Sequence, residues 1–392
     1  MQTARQPGAM MAALMTALLP FEQAWQRRHE PPPTGAVLTL NHNVPVELIH
    51  AAGLQAWRVF PDKEPTSALT DEVMEPVFDG AIRSLFGQCT AGRWATAALA
   101  VIPRSSEGHL QLYYFLQETQ RLRPELQMPP LHLFDLLKTP NWATRGYVRE
   151  QLVILRDALQ TLSGRLIDES ALAQAWALCQ RQRRLLAQVN ALRRGGTPRL
   201  AGSRMLRIIA AGGVMSPQQH IAAMEDLLAE AHQMPSLAGP RVMVKGSTQD
   251  DTALYELIES LGAVVVADDH LGGERSFDHG LDEAASTLDS LAQHYHHHSP
   301  SARTLPQAAE DQCSLAIARD AAVQGVVFVI EQHDDTLGWD YPAQKRLFEA
   351  RGLPTLLLVH QPYRNPDAAA QLAKQSAALA PWLASLSAQE PA

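Results

Sequence analysis

Residues 36–59 read Ala36-Val37-Leu38-Thr39-Leu40-Asn41-His42-Asn43-Val44-Pro45-Val46-Glu47-Leu48-Ile49-His50-Ala51-Ala52-Gly53-Leu54-Gln55-Ala56-Trp57-Arg58-Val59. The apolar run Ala36 to Leu40 predicts a short strand, Pro45 opens a helix that runs to Ala52, and Gln55 to Val59 predicts a second strand. Strand, helix and strand in such quick succession are the grammar of a βαβ unit, which requires a parallel sheet. Working outward, the spacing predicts a helix over Asp79 to Cys89, a strand over Thr96 to Ile102 and a helix over Leu110 to Thr119. Upstream, a helix over Met10 to His29 ends at Pro31-Pro32-Pro33, which can neither continue a helix nor donate to a ladder. Downstream, Val148 to Ser163, Glu169 to Leu192 and Gln218 to Gln233 carry apolar spacing near 3.6 residues. Strand patterns return at Arg241 to Val244, Ala263 to Val266, Gly325 to Val329 and Thr355 to Leu358. The expected fold is α/β: an N-terminal helical segment over 1–34, a first α/β domain over 35–140, a helical lobe over 141–237 and a second α/β domain over 238–392.

The bulk composition bounds the function. A chain of 392 residues with 46% hydrophobic content buries a large core in two or three units. A net charge of -8 and a pI near 6.0 argue against nucleic acid as a partner. Cys89, Cys179 and Cys313 are odd in number and scattered, which fits a reducing, cytoplasmic compartment rather than a disulfide framework. Ala9 to Leu19 imitates the apolar part of a signal peptide, but Pro20-Phe21-Glu22-Gln23 follows in place of a cleavage site, so an amphipathic helix is expected. The remaining apolar runs are too short to span a bilayer, and no membrane partner is expected.

Ligands of a parallel sheet gather beyond the carboxyl ends of its strands, so residues that directly follow strands are the candidates. Glu47 lies in the first turn of its helix, where the macrodipole favours a carboxylate, and helix stabilisation competes with a catalytic role there. After the strand ending at Ile102, Ser105 or Ser106 would cap a helix, while Arg104 offers a fork to a carboxylate or phosphate. Gly246 and Ser247, after Lys245, make a weak anion cradle that lacks full phosphate-loop spacing. His333 and Asp334, in Glu331-Gln332-His333-Asp334-Asp335, could move protons or bind a hard metal, or could be solvated turn residues. Asp268-Asp269-His270 carries the same ambiguity. The tract His294-Tyr295-His296-His297-His298 offers imidazoles, but consecutive helical residues do not share a face. No triad, dinucleotide fingerprint, Walker loop or zinc motif is present.

The order of these pieces resembles the subunits of 2-hydroxyacyl-CoA dehydratases and benzoyl-CoA reductases, among them the D-component of 2-hydroxyglutaryl-CoA dehydratase. Its marks run from about residue 36 almost to the C-terminus: residues 45–53, Ile82-Arg83-Ser84, Val101-Ile102-Pro103 with Leu112-Tyr113-Tyr114, Gly262 to Asp269 with Gly272-Gly273-Glu274-Arg275, and Gly325-Val326-Val327-Phe328. The resemblance implies two related Rossmann- or flavodoxin-like domains with helical additions, dimerising with a homologous subunit as a homo- or heterodimer. It further implies a [4Fe-4S] cluster on three cysteines in the cleft between the domains. An ATP-driven activator protein would deliver one electron, destined for the thioester carbonyl of an acyl-CoA. By that resemblance the cluster ligands fall at or next to Asp79, Ser106 and Asp334, and no cysteine stands there. Carboxylates and hydroxyls prefer harder ions than iron-sulfur clusters offer, so this is expected to be a variant without its own cluster.

Three readings result. The chain is a subunit that shapes an acyl-CoA site while its partner carries the cluster. It is an enzyme of changed chemistry at the same cleft, using Glu47, Ser106, His333 and Asp334. Or it is a non-catalytic binding or assembly protein that kept the fold. The first is the leading expectation.

Overall fold

The computed structural model describes residues 7–139, 141–277, 287–298 and 306–388. The chain opens with α1 (Pro7–Arg27) and enters a first sheet through β1 (Val37–Thr39), α2 (Val46–Ala51) and β2 (Ala56–Arg58). Helices α3 (Ala68–Val73) and α4 (Gly80–Thr90) lead to β3 (Leu99–Pro103), and α5 (Glu107–Leu122) carries the chain to β4 (Leu131–Phe134). Next come α6 (Trp142–Ser163), α7 (Glu169–Ala191), α8 (Gly202–Ala211) and α9 (Pro217–Glu230). The chain then runs through β5 (Arg241–Gly246), α10 (Ala253–Ser260), β6 (Val264–Asp269), α11 (Leu288–Gln293), α12 (Gln307–Asp320), β7 (Gly325–Glu331), α13 (Asp335–Glu349) and β8 (Thr355–Gln361), whose four strands form the second sheet. Helix α14 (Ala368–Ser387) follows it. Among the described residues, no helix is long and apolar enough to cross a membrane.

The strand orders are β2-β1-β3-β4 and β6-β5-β7-β8, with every pairing parallel. Each sheet therefore starts in its middle, winds outward to one side and then reverses, leaving a crevice between β1 and β3 and another between β5 and β7. The shared order bears out the expected α/β class with two parallel sheets. Alternate strand residues serve opposite faces, as the pleat demands. Leu38, Leu40, Ala100 and Ile102 join a core with α1, α4, α5, α8 and α9. Val37, Leu99 and Val101 join one with α2, α6, α7 and α11. In the second sheet Val242, Val244 and Val327 face α10 and α14, while Met243, Val326 and Phe328 face α12 and α13.

The structure adds elements that the residue pattern did not predict. Strand β4 is a half-exposed edge strand, so its short run lacks a clear apolar signal. Helix α3 is six residues long, too short for periodicity to register. Helix α8 is ten residues long and divides its apolar side chains between two cores, Met205 and Ile208 in the first and Leu206 in the second, which leaves only a narrow polar side to mark it. It meets β6 at Gly202, where a Cβ would fall 2.6 Å from the carbonyl oxygen of Val265. The N-terminal helix ends at Arg27 rather than His29, and α5 starts at Glu107 rather than Leu110, because Ser106 caps it.

Helix α7 links the two halves through buried ion pairs. Arg183 Nη2 donates to Glu47 Oε1 of α2 at 2.6 Å, and the Tyr295 hydroxyl donates to Glu47 Oε2 at 2.9 Å. Just past the C-terminus of α7, Arg193 Nη1 donates to Asp268 Oδ2 at 2.7 Å and Nη2 to Glu274 Oε2 at 3.3 Å. Neither Arg193 nor its two partners is exposed at all. The neighbouring Asp269 takes Lys245 at 2.5 Å and Arg275 at 2.6 Å, and His270 pairs with the Tyr255 hydroxyl at 2.7 Å. The segment 268–270 is thus a buried structural network. His296 is likewise committed to the carbonyl of Thr139 at 2.9 Å, while the side chains of 297 and 298 lie outside the described residues. Removing one member of a buried pair leaves the other charge uncompensated. Arg193→Ala should therefore lower the unfolding free energy by about 3–5 kcal/mol in urea denaturation, with a far smaller effect from the exposed Arg181→Ala.

Candidate functional site

The crevices of the two sheets open onto one cleft of about 150 Å3. Asn41 and His42, which follow β1, and Ser106, which follows β3, come from the first sheet. Ser247 and Thr248 after β5, and Glu331 and Asp334 at and beyond the end of β7, come from the second. Helix α8 contributes Leu206 and Ala210, and Asp79 lines the cleft from the start of α4. Strand-end residues of both sheets therefore meet in this cleft, since parallel strands leave their helix N-termini and loop backbone on this side.

Asp79, Ser106 and Asp334 are brought together here, each as a helix N-cap. Asp79 Oδ1 accepts the backbone N–H of Ala81 at 2.8 Å and of Ile82 at 3.3 Å. Ser106 Oγ accepts the N–H of His109 at 3.3 Å. Asp334 Oδ1 accepts the N–H of Leu337 at 3.3 Å, and its Oδ2 accepts the Ser247 hydroxyl at 2.9 Å. Ser247 Oγ in turn accepts the N–H of Glu331 at 3.0 Å, which ties β5 to β7. Aspartate and serine are favoured caps, each worth roughly 1 kcal/mol to its helix. A [4Fe-4S] cluster does not fit this donor set, which is oxygen throughout and already engaged by helix N–H groups. Cys89 and Cys179 are buried with their thiols pushed up by desolvation, Cys313 packs against the second sheet, and none of the three lines this cleft. Among the described residues, no group of three or more His, Cys, Asp and Glu is arranged to hold a metal ion.

The structure adds two further features. His109 Nδ1 lies 2.9 Å from Ser106 Oγ, and its Nε2 lies 3.4 Å from the Leu40 carbonyl oxygen. The signal was available as Ser-x-x-His at a helix start, where residues three apart share a face. Asp250 and Glu331 are carboxyls with raised pKa values. Burial pushes Asp250 up to about 7; Asp251 and Asp79 add to the rise and Lys63 opposes it. Burial, then the carboxylates of Asp79, Asp250 and Asp334, push Glu331 well above the usual range. Asp250 can thus exchange a proton near neutral pH, as a general acid or base must.

The remaining predicted residues lie elsewhere. His333 is exposed on an adjoining cavity of about 290 Å3, which Asp79, Glu331 and Asp334 also border. Glu47 is sealed in its ion pair with Arg183 and does not line the cleft. Arg104 turns to Glu107 and Asp135, at 3.4 and 3.5 Å. Gly246 adopts φ +126°, and a Cβ there would fall 2.1 Å from the Val329 carbonyl oxygen, so close strand approach accounts for this glycine.

The folded-state pKa of Asp250 lies above its unfolded value, so the native chain holds an extra proton between about pH 4 and 7. Its contribution to stability is complete below that window and is lost as pH rises through it. Asp250→Asn should flatten the fall in urea midpoint between about pH 5 and pH 7.5; an unchanged slope would contradict the assignment.

Comparison with known proteins agrees with this architecture. The family model described as 2-hydroxyglutaryl-CoA dehydratase, D-component, matches residues 41–377. The chain is 22% identical over 218 residues to the (R)-phenyllactyl-CoA dehydratase beta subunit of Clostridium sporogenes, covering 55% of this chain and 58% of that one. It is 27% identical over 190 residues to a benzoyl-CoA reductase subunit of Thauera aromatica, covering 47% of this chain and 49% of the other. The matched stretch thus spans about half the length of these curated relatives. With a match that covers most of its length, the chain belongs to the 2-hydroxyglutaryl-CoA dehydratase D-component family.

Proposed function

We propose that this chain is a cytoplasmic subunit of an acyl-CoA-processing complex of the 2-hydroxyacyl-CoA dehydratase or benzoyl-CoA reductase type. It shapes the acyl-CoA site, and a homologous partner holds the iron-sulfur cluster and receives its electron from an ATP-dependent activator. One observation carries the reading: Asp79, Ser106 and Asp334 converge on the cleft between the sheets but present capping oxygens where the resemblance puts thiolates. The apolar wall from Leu206, Ala210, Ile82 and Leu85 suits an acyl group, and it excludes water from the carboxyls around it. In this reading Asp250 and Glu331 hold protons near the thioester carbonyl, and the Ser106 hydroxyl and Asn41 amide orient it. The three free cysteines accord with a reducing compartment.

A second reading, cluster-free chemistry by this chain alone, draws on the Ser106–His109 contact. The two are separated by Asp334→Ala. As a subunit, the variant still co-elutes with its partner and loses acyl-CoA affinity. As a self-sufficient enzyme, the wild-type chain turns over acyl-CoA without any partner and the variant does not. Iron and sulfide analysis of the chain purified without oxygen should find only traces. About four of each per chain would overturn the proposal.

A further inference from the structure

A second cavity, of about 120 Å3, adjoins the cleft, and Asn41, His42 and Arg58 belong to the walls of both. Their charge is opposite in character. The cleft gathers Asp79, Asp250, Glu331 and Asp334, whereas no carboxylate is among the described residues that line the second cavity and two arginines are. Arg58 ends β2, and its backbone N–H donates to the Gly213 carbonyl at 2.7 Å, which fixes the strand end against the turn after α8. Its guanidinium has no ion pair and no hydrogen bond among the described residues; its nearest described aromatic partner is the Phe60 ring, 5.8 Å away. Arg183 reaches the same cavity from α7. Its Nη2 is taken by Glu47, but Nη1 is buried without a hydrogen-bond partner.

Two guanidinium groups with unused donors at one cavity are unfavourable unless something negative completes them. A planar fork is the natural partner of a carboxylate or a phosphate. Gln182, which also lines this cavity, commits its Nε2 to His220 Nδ1 at 2.8 Å, whereas Arg183 Nη1 has no such partner. Desolvation also pushes Arg58 down to about 10, against the pull of Asp250, which accords with a cation short of counter-charge.

We propose that this second cavity is an anion subsite in which Arg58 and the free edge of Arg183 hold a carboxylate or phosphate group of the ligand. It rests on the proposed function for the identity of that ligand, an acyl-CoA, but not for its chemistry. The anion is held at the basic end, and Arg58, shared by both chambers, sets the distance from it to the proton-bearing cleft. The group is either a carboxylate on the acyl chain or a phosphate of the CoA moiety.

Calorimetric titration of the full chain with inorganic phosphate and, separately, with glutarate tests this without partner or turnover. Saturable binding of at least one anion is expected, weakened about tenfold or more in Arg58→Gln. Arg58→Lys, which keeps the charge but not the fork, should fall between, and it serves as the readout if Arg58→Gln fails to fold. Preference for glutarate would assign the subsite to the acyl chain, and preference for phosphate to CoA. No binding of either anion, or equal affinity in wild type and the Arg58 variants, would overturn the proposal. Anion binding in a chain that ignores acyl-CoA would leave the subsite standing and remove the proposed function instead.

Discussion

Helix α7 sets the relation of the two sheets, because it carries a buried cation toward each of them. Arg183 is locked to Glu47 on the first sheet's α2, and Arg193 is locked to Asp268 and Glu274 beyond β6 of the second. A buried ion pair contributes little net energy, but it tolerates almost no displacement, since separating the charges leaves each unsolvated. Two such pairs, ten residues apart on and just beyond one helix, fix where the second crevice stands relative to the first. Helix α8 then fills the space between, with Met205 and Ile208 committed to one core and Leu206 to the other.

The cleft that results is made of helix starts. Asp79, Ser106 and Asp334 each cap a helix whose free N–H groups would otherwise face the cavity. The same helix ends would favour thiolates at these places, because their partial positive charge stabilises an anion. Oxygen side chains there secure the helices directly and offer no thiolate at these three positions. Family membership and oxygen caps in the cleft are therefore compatible: the fold requires capped helices, and it does not require that the caps be sulfur.

Charge is divided between the two adjoining cavities. Burial raises the pKa of both Asp250 and Glu331, and Asp250 adds to the rise at Glu331, while Arg58 stands where the acidic cleft meets the basic cavity. A ligand with an anionic group and a polar carbonyl could satisfy both ends at once, which ties its orientation to its binding.

Much of this was legible from residue order. The βαβ pattern of residues 36–59, the apolar strands and the polar residues just past them determine the α/β class and the side of the sheets on which ligands gather, because parallel strands are continuous apolar runs with open carboxyl ends. The sequence also shows that no cysteine stands near Ser106 or Asp334. Only the tertiary structure decided which strand-end residues meet. Glu47 and Arg104 satisfy the same local criterion as Ser106, yet both are consumed by ion pairs with partners distant in the chain or facing outward. Arg58 also ends a strand and gives no local signal, because what distinguishes it is the missing counter-charge. Burial and charge compensation are sums over the whole fold, and no window of sequence contains them.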